Sequence, residues 1–250
     1  MSSADGPKLI TNGLVLCLDT VDRNSYISGS TLKDMSGNGA NFSPGCYGTG
    51  CTYPTISGNA LKTGFTTGTS KYFDCSNVTT TLKNLLYGDH TIEIACKINS
   101  LSRGVDLNAA YTTETRTSII IWPGYHSGLN MDNTYLYYEI WNSTSTTVAI
   151  ATNITSYVAK NIIIHAVRIY NTLYLYFNGS LITSGNITSP TNYGYNNLRL
   201  GVAINSYPVS SNGYAWPSNI DFYGVKLYNI GFVPGQVQQN FNVMRSRFGI

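Results

Sequence analysis

The stretch that most constrains the fold is Thr172 to Thr183, TLYLYFNGSLIT. Leu173, Leu175 and Phe177 alternate with Tyr174 and Tyr176, the two-residue period of a half-buried strand. Asn178-Gly179 then supplies the two positive-φ positions of a type I′ turn, whose twist suits the strands it joins. A chain carrying this hairpin is committed to antiparallel sheet. Similar strand signals recur at Gly13 to Asp19, His90 to Ile98, Thr117 to Trp122, Thr134 to Trp141 and Thr146 to Ala151. Further ones lie at Asn161 to Tyr170, Asn197 to Ala203 and Ile220 to Tyr228, with turn residues between them. No internal repeat or low-complexity linker interrupts the series. One all-β domain over residues 1–250 is therefore expected, a jelly-roll sandwich of two antiparallel sheets.

The last stretch departs from this pattern. Val237, Phe241, Met244 and Phe248 follow the spacing of one helix face. Pro234 suits a first turn, Arg245 and Arg247 suit the negative end of the dipole, and Gly249 suits the stop. A short helix over about 234–247 is predicted, packed against an end or edge of the sandwich. Its polar residues (Gln236, Gln238, Gln239, Asn240, Asn242) give no cationic face, which argues against a membrane-surface helix.

Composition narrows the partners. Charged residues make up 11% of the chain, against roughly 25% in ordinary soluble domains. With 20 tyrosines and a net charge of +3, this is no basic nucleic-acid-binding chain, since no basic stripe is interleaved with aromatics. No segment has the length of a membrane span, and the amino terminus lacks the layout of a secretion signal. Neither a nucleic acid nor a membrane is expected as partner, and folding in the cytosol is expected. Of five cysteines, Cys17 and Cys96 fall in strand patterns and read as buried thiols. Cys46 and Cys51 share the loop GCYGTGC and can pair if oxidised, although reduced thiols are the favoured expectation.

The order of features resembles the concanavalin A-like lectin/glucanase superfamily, in its laminin-G-like branch. GLVLCLD followed by LKDMSGNGANF (Leu32 to Phe42) looks like the family's first strand and turn. HTIEIACKI is similar to an early core strand, and IIIHAVRIYNTLYLYFNGSLITSG to the paired strands ending in Y-x-N-G. LRLGVA and FYGVKLYNIGF resemble the closing strands, and a terminal helix packed on the sandwich is common in this branch. The ending QQNFNVMRSRFGI looks most like such domains in virion structural proteins, notably of tailed phages. That resemblance implies a capsid-associated protein located in the virion, with capsid neighbours or copies of itself as partners. The charge-poor, Tyr-rich composition is consistent with this, because interface cores are depleted in charge.

Superfamily glucanases place two acids on one strand to flank the scissile bond. The three glutamates here, Glu93, Glu114 and Glu139, do not reproduce that spacing, since Ala95 and Lys97 follow Glu93 and Trp141 follows Glu139. His90, His126 and His165 are far apart in sequence, and no nucleophile elbow occurs. No enzymatic activity and no cofactor are expected. Calcium, bound by some relatives, has Asp34 and Asn38 in DMSGNG as candidate ligands, although such residues more often serve tight turns. The alternative function is attachment to cell-surface glycans. Trp122 and Tyr125 (IWPGYHSG) with Tyr214 and Trp216 (NGYAWPS) are the candidate sugar platform, or else plugs over the sandwich rim.

Overall fold

The computed structural model describes residues 8–22, 24–27, 31–47, 50–57, 60–66, 69–75, 77–101, 117–122, 127–141, 147–187, 197–204 and 215–250. Two antiparallel sheets pack face to face. The first runs in the order Ser180–Asn186, Thr172–Phe177, Asn161–Ile169, His90–Ser100, Asn219–Tyr228, Ala60–Lys62 and Thr55–Ser57. Leu14–Asp19 also pairs with Asn219–Tyr228. The second sheet runs Thr147–Asn153, Tyr135–Trp141, Ser127–Met131, Thr117–Trp122, Leu198–Leu200, Thr69–Cys75 and Ser43–Tyr47.

Alternation decides which side chains meet. In the His90–Ser100 strand, Ile92, Ile94, Cys96 and Ile98 face the second sheet, joined by Ile162, Ile164 and Ala166 of the neighbouring strand. Leu129, Met131, Leu136, Tyr138 and Ile140 come from the other side into the same core. The expected hairpin forms as read. Asn178 and Gly179 have φ of 51° and 80°, Leu173, Leu175 and Phe177 enter the core, and Tyr174 and Tyr176 point outward.

Three features differ from the sequence expectation. The strand foreseen over Asn197 to Ala203 breaks at Gly201, where φ is +83° and a Cβ would lie 2.4 Å from Thr63 Cγ2. Leu198–Leu200 stays in the sheet, while Val202–Ile204 pairs with Ala215–Pro217. Seven short strands between Tyr26 and Cys75 went unforeseen, because none of them shows a long alternation. Finally, Cys46 and Cys51 are joined by a disulfide, so the expectation of reduced thiols fails for this pair. Their Cα atoms lie 5.9 Å apart, the usual disulfide separation. Cys17, Cys75 and Cys96 are free and buried. Burial pushes the Cys96 thiol up to about 12, so it stays protonated and inert.

The terminal helix covers Pro234–Met244 and continues as a 3₁₀ turn over Arg245–Phe248, with Gly249 at φ 66° closing it. Pro234 takes the first turn, and Gln236 Oε1 accepts from the Val233 N–H at 3.0 Å. Val237, Phe241, Met244 and Phe248 are all buried. They do not sit at an end or edge, as expected. They cover the outer face of the first sheet, where Ala95, Ile163, Val167 and Tyr176 supply an apolar surface. That face is apolar because each of these strands carries hydrophobic residues at both alternating positions, so it needs a cover. Arg247 reaches Asp19 with contacts of 2.7 and 3.2 Å, a more specific anchor than the dipole alone.

Candidate functional site

The residues proposed from sequence do not form one surface. Trp122 is fully buried inside the sandwich. Its Nε1–H donates to the Leu82 carbonyl at 2.9 Å, in a short helix, Thr80–Lys83, that was not foreseen. A ring enclosed this way has no face to offer a sugar, so Trp122 leaves the candidate platform. Trp216 lies in a strand opposite Ala203. Tyr125 and Tyr214, with Glu114 and His126, lie outside the described residues.

Asp34 is buried and spends its carboxylate locally. Oδ1 accepts from the backbone N–H groups of Cys17 and Ser36, each at 2.9 Å, while Oδ2 accepts from Ser36 Oγ at 2.8 Å and from the Ala40 N–H at 3.3 Å. Asn38 turns its amide N–H toward Val15 O at 3.1 Å. Four donors around one carboxylate are the arrangement of a turn. Among the described residues, no group of three or more His, Cys, Asp or Glu is placed to hold a metal.

The remaining candidates divide between the two outer faces of the sandwich. Under the terminal helix lies a buried polar cluster centred on Glu93. Oε1 takes Lys226 Nζ at 2.8 Å, while Oε2 takes His165 Nε2 at 3.1 Å and Asn240 Nδ2 at 2.7 Å. Asn240 also reaches the Tyr228 hydroxyl at 3.0 Å and accepts the Ile10 N–H at 3.0 Å. Burial alone would raise the Glu93 carboxyl, but the Lys226 ammonium and His165 outweigh it and hold it well below the usual range. The cluster is sealed by Met244, Phe241 and Val237, so it ties helix to sheet and presents nothing to solvent.

Glu139 lies on the outer face of the second sheet, so the whole sandwich separates it from Glu93. Sheets pack about 10 Å apart, and both carboxylates project outward. They stand farther apart than the roughly 5–9.5 Å a glycosidase acid pair needs. Glu139 Oε2 accepts from Asn130 Nδ2 at 2.6 Å, and Asn130 Oδ1 accepts from Ser118 Oγ at 2.5 Å. This buried chain stiffens the floor of the second outer face.

No helix covers that face among the described residues, and it carries an aromatic pair. Tyr135 and Tyr137 alternate outward from the Tyr135–Trp141 strand, whose Leu136, Tyr138 and Ile140 turn inward. Tyr135 is 43% exposed. Its ring stands 6.3 Å from that of Tyr137, tilted by 56°. The Tyr137 hydroxyl donates to Asp132 Oδ2 at 2.6 Å, and Asp132 Oδ1 accepts the N–H groups of Thr134 and Tyr135, both at 2.7 Å. One carboxylate thus fixes the hairpin and the second ring together. Across the ladder, Asn153 opposes Tyr135, Ala151 opposes Tyr137 and Ala149 opposes Glu139. All three are exposed. The two alanines leave a shallow step beside the rings, and Asn153 adds a neutral amide. The alternation T-Y-L-Y-Y-E-I-W was the available signal, because two tyrosines share the parity opposite to the core residues.

Farther along the same face, the Tyr72 ring lies over Gly45, its cross-strand partner. A Cβ at Gly45 would sit 2.2 Å from that ring. Arg199 packs 5.8 Å from the Tyr72 ring centroid and pairs with Asp74 at 2.8 Å.

These features define a two-sheet β-sandwich with one outer face closed by a helix and one bearing surface aromatics. No protein-family model matches the sequence, and neither does any curated protein. Solved structures do. The chain is similar to the binding domain of botulinum neurotoxin DC in a complex with rat synaptotagmin II, at 14% identity and a TM-score of 0.66. It is likewise similar to that domain in complex with SialylT, at 13% identity and 0.64. A third is the structure described as "Cell entry of botulinum neurotoxin type C is dependent upon interaction with two ganglioside molecules", at 15% and 0.66. These matches cover 94% of this chain and 52% of each of those, so the chain spans about half their length. At this identity the likeness establishes the β-sandwich fold.

Proposed function

We propose that this chain is a glycan-binding adhesion module without catalytic activity. The observation that carries the reading is the exposed Tyr135 ring beside half-buried Tyr137, braced by Asp132 on the sheet face the helix leaves uncovered. A tyrosine ring offers its face to sugar C–H groups, and the exposed Asn153 amide across the ladder offers hydrogen bonds to hydroxyls. The similar solved domains are receptor-binding domains, with gangliosides and SialylT in their descriptions, which supports a binding role over an enzymatic one. The separation of Glu93 from Glu139 supports the same choice. A capsid-associated role in a virion, with capsid proteins or copies of itself as neighbours, keeps only the sequence resemblance and the charge-poor composition as support.

The test is a glycan panel probed with the wild-type chain and with Tyr135→Ala, a surface change that should leave the melting temperature within about 2 °C. Saturable binding that weakens at least about tenfold in the variant, roughly 1.4 kcal/mol, supports the reading. Absence of any glycan ligand, or binding indifferent to Tyr135→Ala, removes it.

A further inference from the structure

The polar cluster beneath the terminal helix holds more than an ion pair requires. Glu93 grips two nitrogens at once, Lys226 Nζ on Oε1 at 2.8 Å and Asn240 Nδ2 on Oε2 at 2.7 Å. One is an amine and the other belongs to an amide, so a nucleophile and an acyl donor share one carboxylate. Lys226 Nζ also lies 3.2 Å from Met244 Sδ. Asn240 and Met244 are one turn apart on the same helix face, so the Lys226 head reaches the helix beside Asn240. The amide is held at both ends. Its Oδ1 accepts the Ile10 N–H at 3.0 Å, and its Nδ2 donates to the Tyr228 hydroxyl at 3.0 Å as well as to Glu93. Glu93, Lys226 and Asn240 are all buried.

From this arrangement we propose that Lys226 and Asn240 join in an intramolecular isopeptide bond, formed by the chain itself with Glu93 as the catalytic residue. Lys226 Nζ attacks Asn240 Cγ, the Cγ–Nδ2 bond breaks, and Nδ2 leaves as ammonium. Protons balance within the cluster. Of the three on the Lys226 ammonium, one stays on the new amide and Glu93 carries two across to Nδ2. Nothing is oxidised or reduced, and no co-reactant enters. Negative charge developing on Oδ1 during the attack falls on the Ile10 N–H, which serves as an oxyanion-hole donor. The first step moves a proton along the 2.8 Å contact and turns the ion pair into a neutral amine and a neutral acid. Burial opposes both charges and so lowers the cost of that transfer. Docking of the helix supplies the rest, because it holds the reactants together in one molecule and keeps water out. The bond fastens helix to sheet covalently, where Phe241 and Met244 hold it by packing alone.

The test is the intact mass of the purified full chain, folded, incubated at neutral pH and reduced, followed by tryptic mapping. The expected result is a mass one ammonia below that of the sequence, with a branched peptide joining the segments around Lys226 and Asn240. Lys226→Arg keeps the positive charge but lacks the amine, and Asn240→Ala lacks the acyl group, so neither should lose ammonia. Glu93→Gln, checked for folding by circular dichroism, should form the bond at least about a hundredfold more slowly. If that variant does not fold, the wild-type and Lys226→Arg masses still decide. A wild-type mass that retains the ammonia overturns the proposal and leaves Glu93 and Lys226 as a structural ion pair. Ammonia lost without the branched peptide, for example as a cyclic imide at Asn178-Gly179, overturns it equally. A branched peptide that forms at the wild-type rate in Glu93→Gln removes Glu93 as the proton carrier.

Discussion

The Tyr138 hydroxyl is hydrogen-bonded to His90 Nε2 across the apolar core, joining a strand of one sheet to a strand of the other. The tautomer follows from the second nitrogen. His90 Nδ1 lies 2.8 Å from the Gly88 carbonyl, which can only accept, so Nδ1 carries the proton and Nε2 receives the Tyr138 O–H. Protonating this imidazole would put two donors face to face in a fully buried place.

The pH dependence of stability follows from that bond. Burial, opposed in part by the Gly88 carbonyl and reinforced by nearby Arg168, pulls His90 down from 6.5 to about 4. The unfolded chain therefore takes up the proton first as pH falls. Stability from this group is complete above about 6.5 and is lost progressively between there and about 4, amounting to about 3 kcal/mol. Urea unfolding between pH 7 and pH 4 should show this decline, and His90→Gln should flatten it. An unchanged slope in the variant would assign the decline to other groups.

Glu93 and Lys226 set a second expectation. Glu93→Gln leaves the buried Lys226 ammonium without a counter-charge and should cost about 3–5 kcal/mol. Replacing both partners with Leu and Met should cost much less than the two single changes added together, because no unpaired charge remains. Equal costs for the double change and the summed singles, measured by denaturant unfolding, would show that the two residues act independently.

Helix docking is tested at Phe241. Truncation to Ala should cost about 3–5 kcal/mol and Asp at least as much, since a charge would then face Ala95 and Ile163. Thermal melts read the loss directly. A melting temperature within 2 °C of wild type for Phe241→Asp would mean that the helix does not hold the sheet in solution.

Gly45 and Tyr72 should be coupled. Gly45→Ala drives a Cβ into the Tyr72 ring and should cost about 1–3 kcal/mol by overpacking. In a Tyr72→Ala background the same change should cost little, as the obstacle is gone. A cost that persists in the double variant would point to the backbone at Gly45 rather than to the ring.

How much of this was legible in the sequence depended on which forces act locally. The Thr172–Phe177 hairpin could be read because its alternation and its Asn-Gly turn are properties of consecutive residues. The terminal helix could be read for the same reason, though its docking place could not. Alternation shows that Ala95, Ile163 and Val167 oppose the core, but not that the distant terminal segment returns to cover them. Trp122 was misplaced because the Trp-Pro pair suggested a loop, whereas Leu82, 40 residues earlier, supplies its hydrogen bond. Tyr135 and Tyr137 were passed over in favour of loop tryptophans, although their parity already set them apart from Leu136 and Tyr138. The Cys46–Cys51 pairing depends on how the loop closes, which composition does not encode.

Both described ends of the chain lie on the helix side of the sandwich. Ile10 donates its N–H to Asn240, and Leu9 and Ile250 pack with Phe241 and Phe248. These residues therefore sit on the face opposite the tyrosine pair. If the tyrosine face binds glycans as proposed, units held from the helix side would turn that face in one direction. Tethering then works in favour of avidity, and the strength of attachment would grow with the number of copies displayed rather than with any one contact.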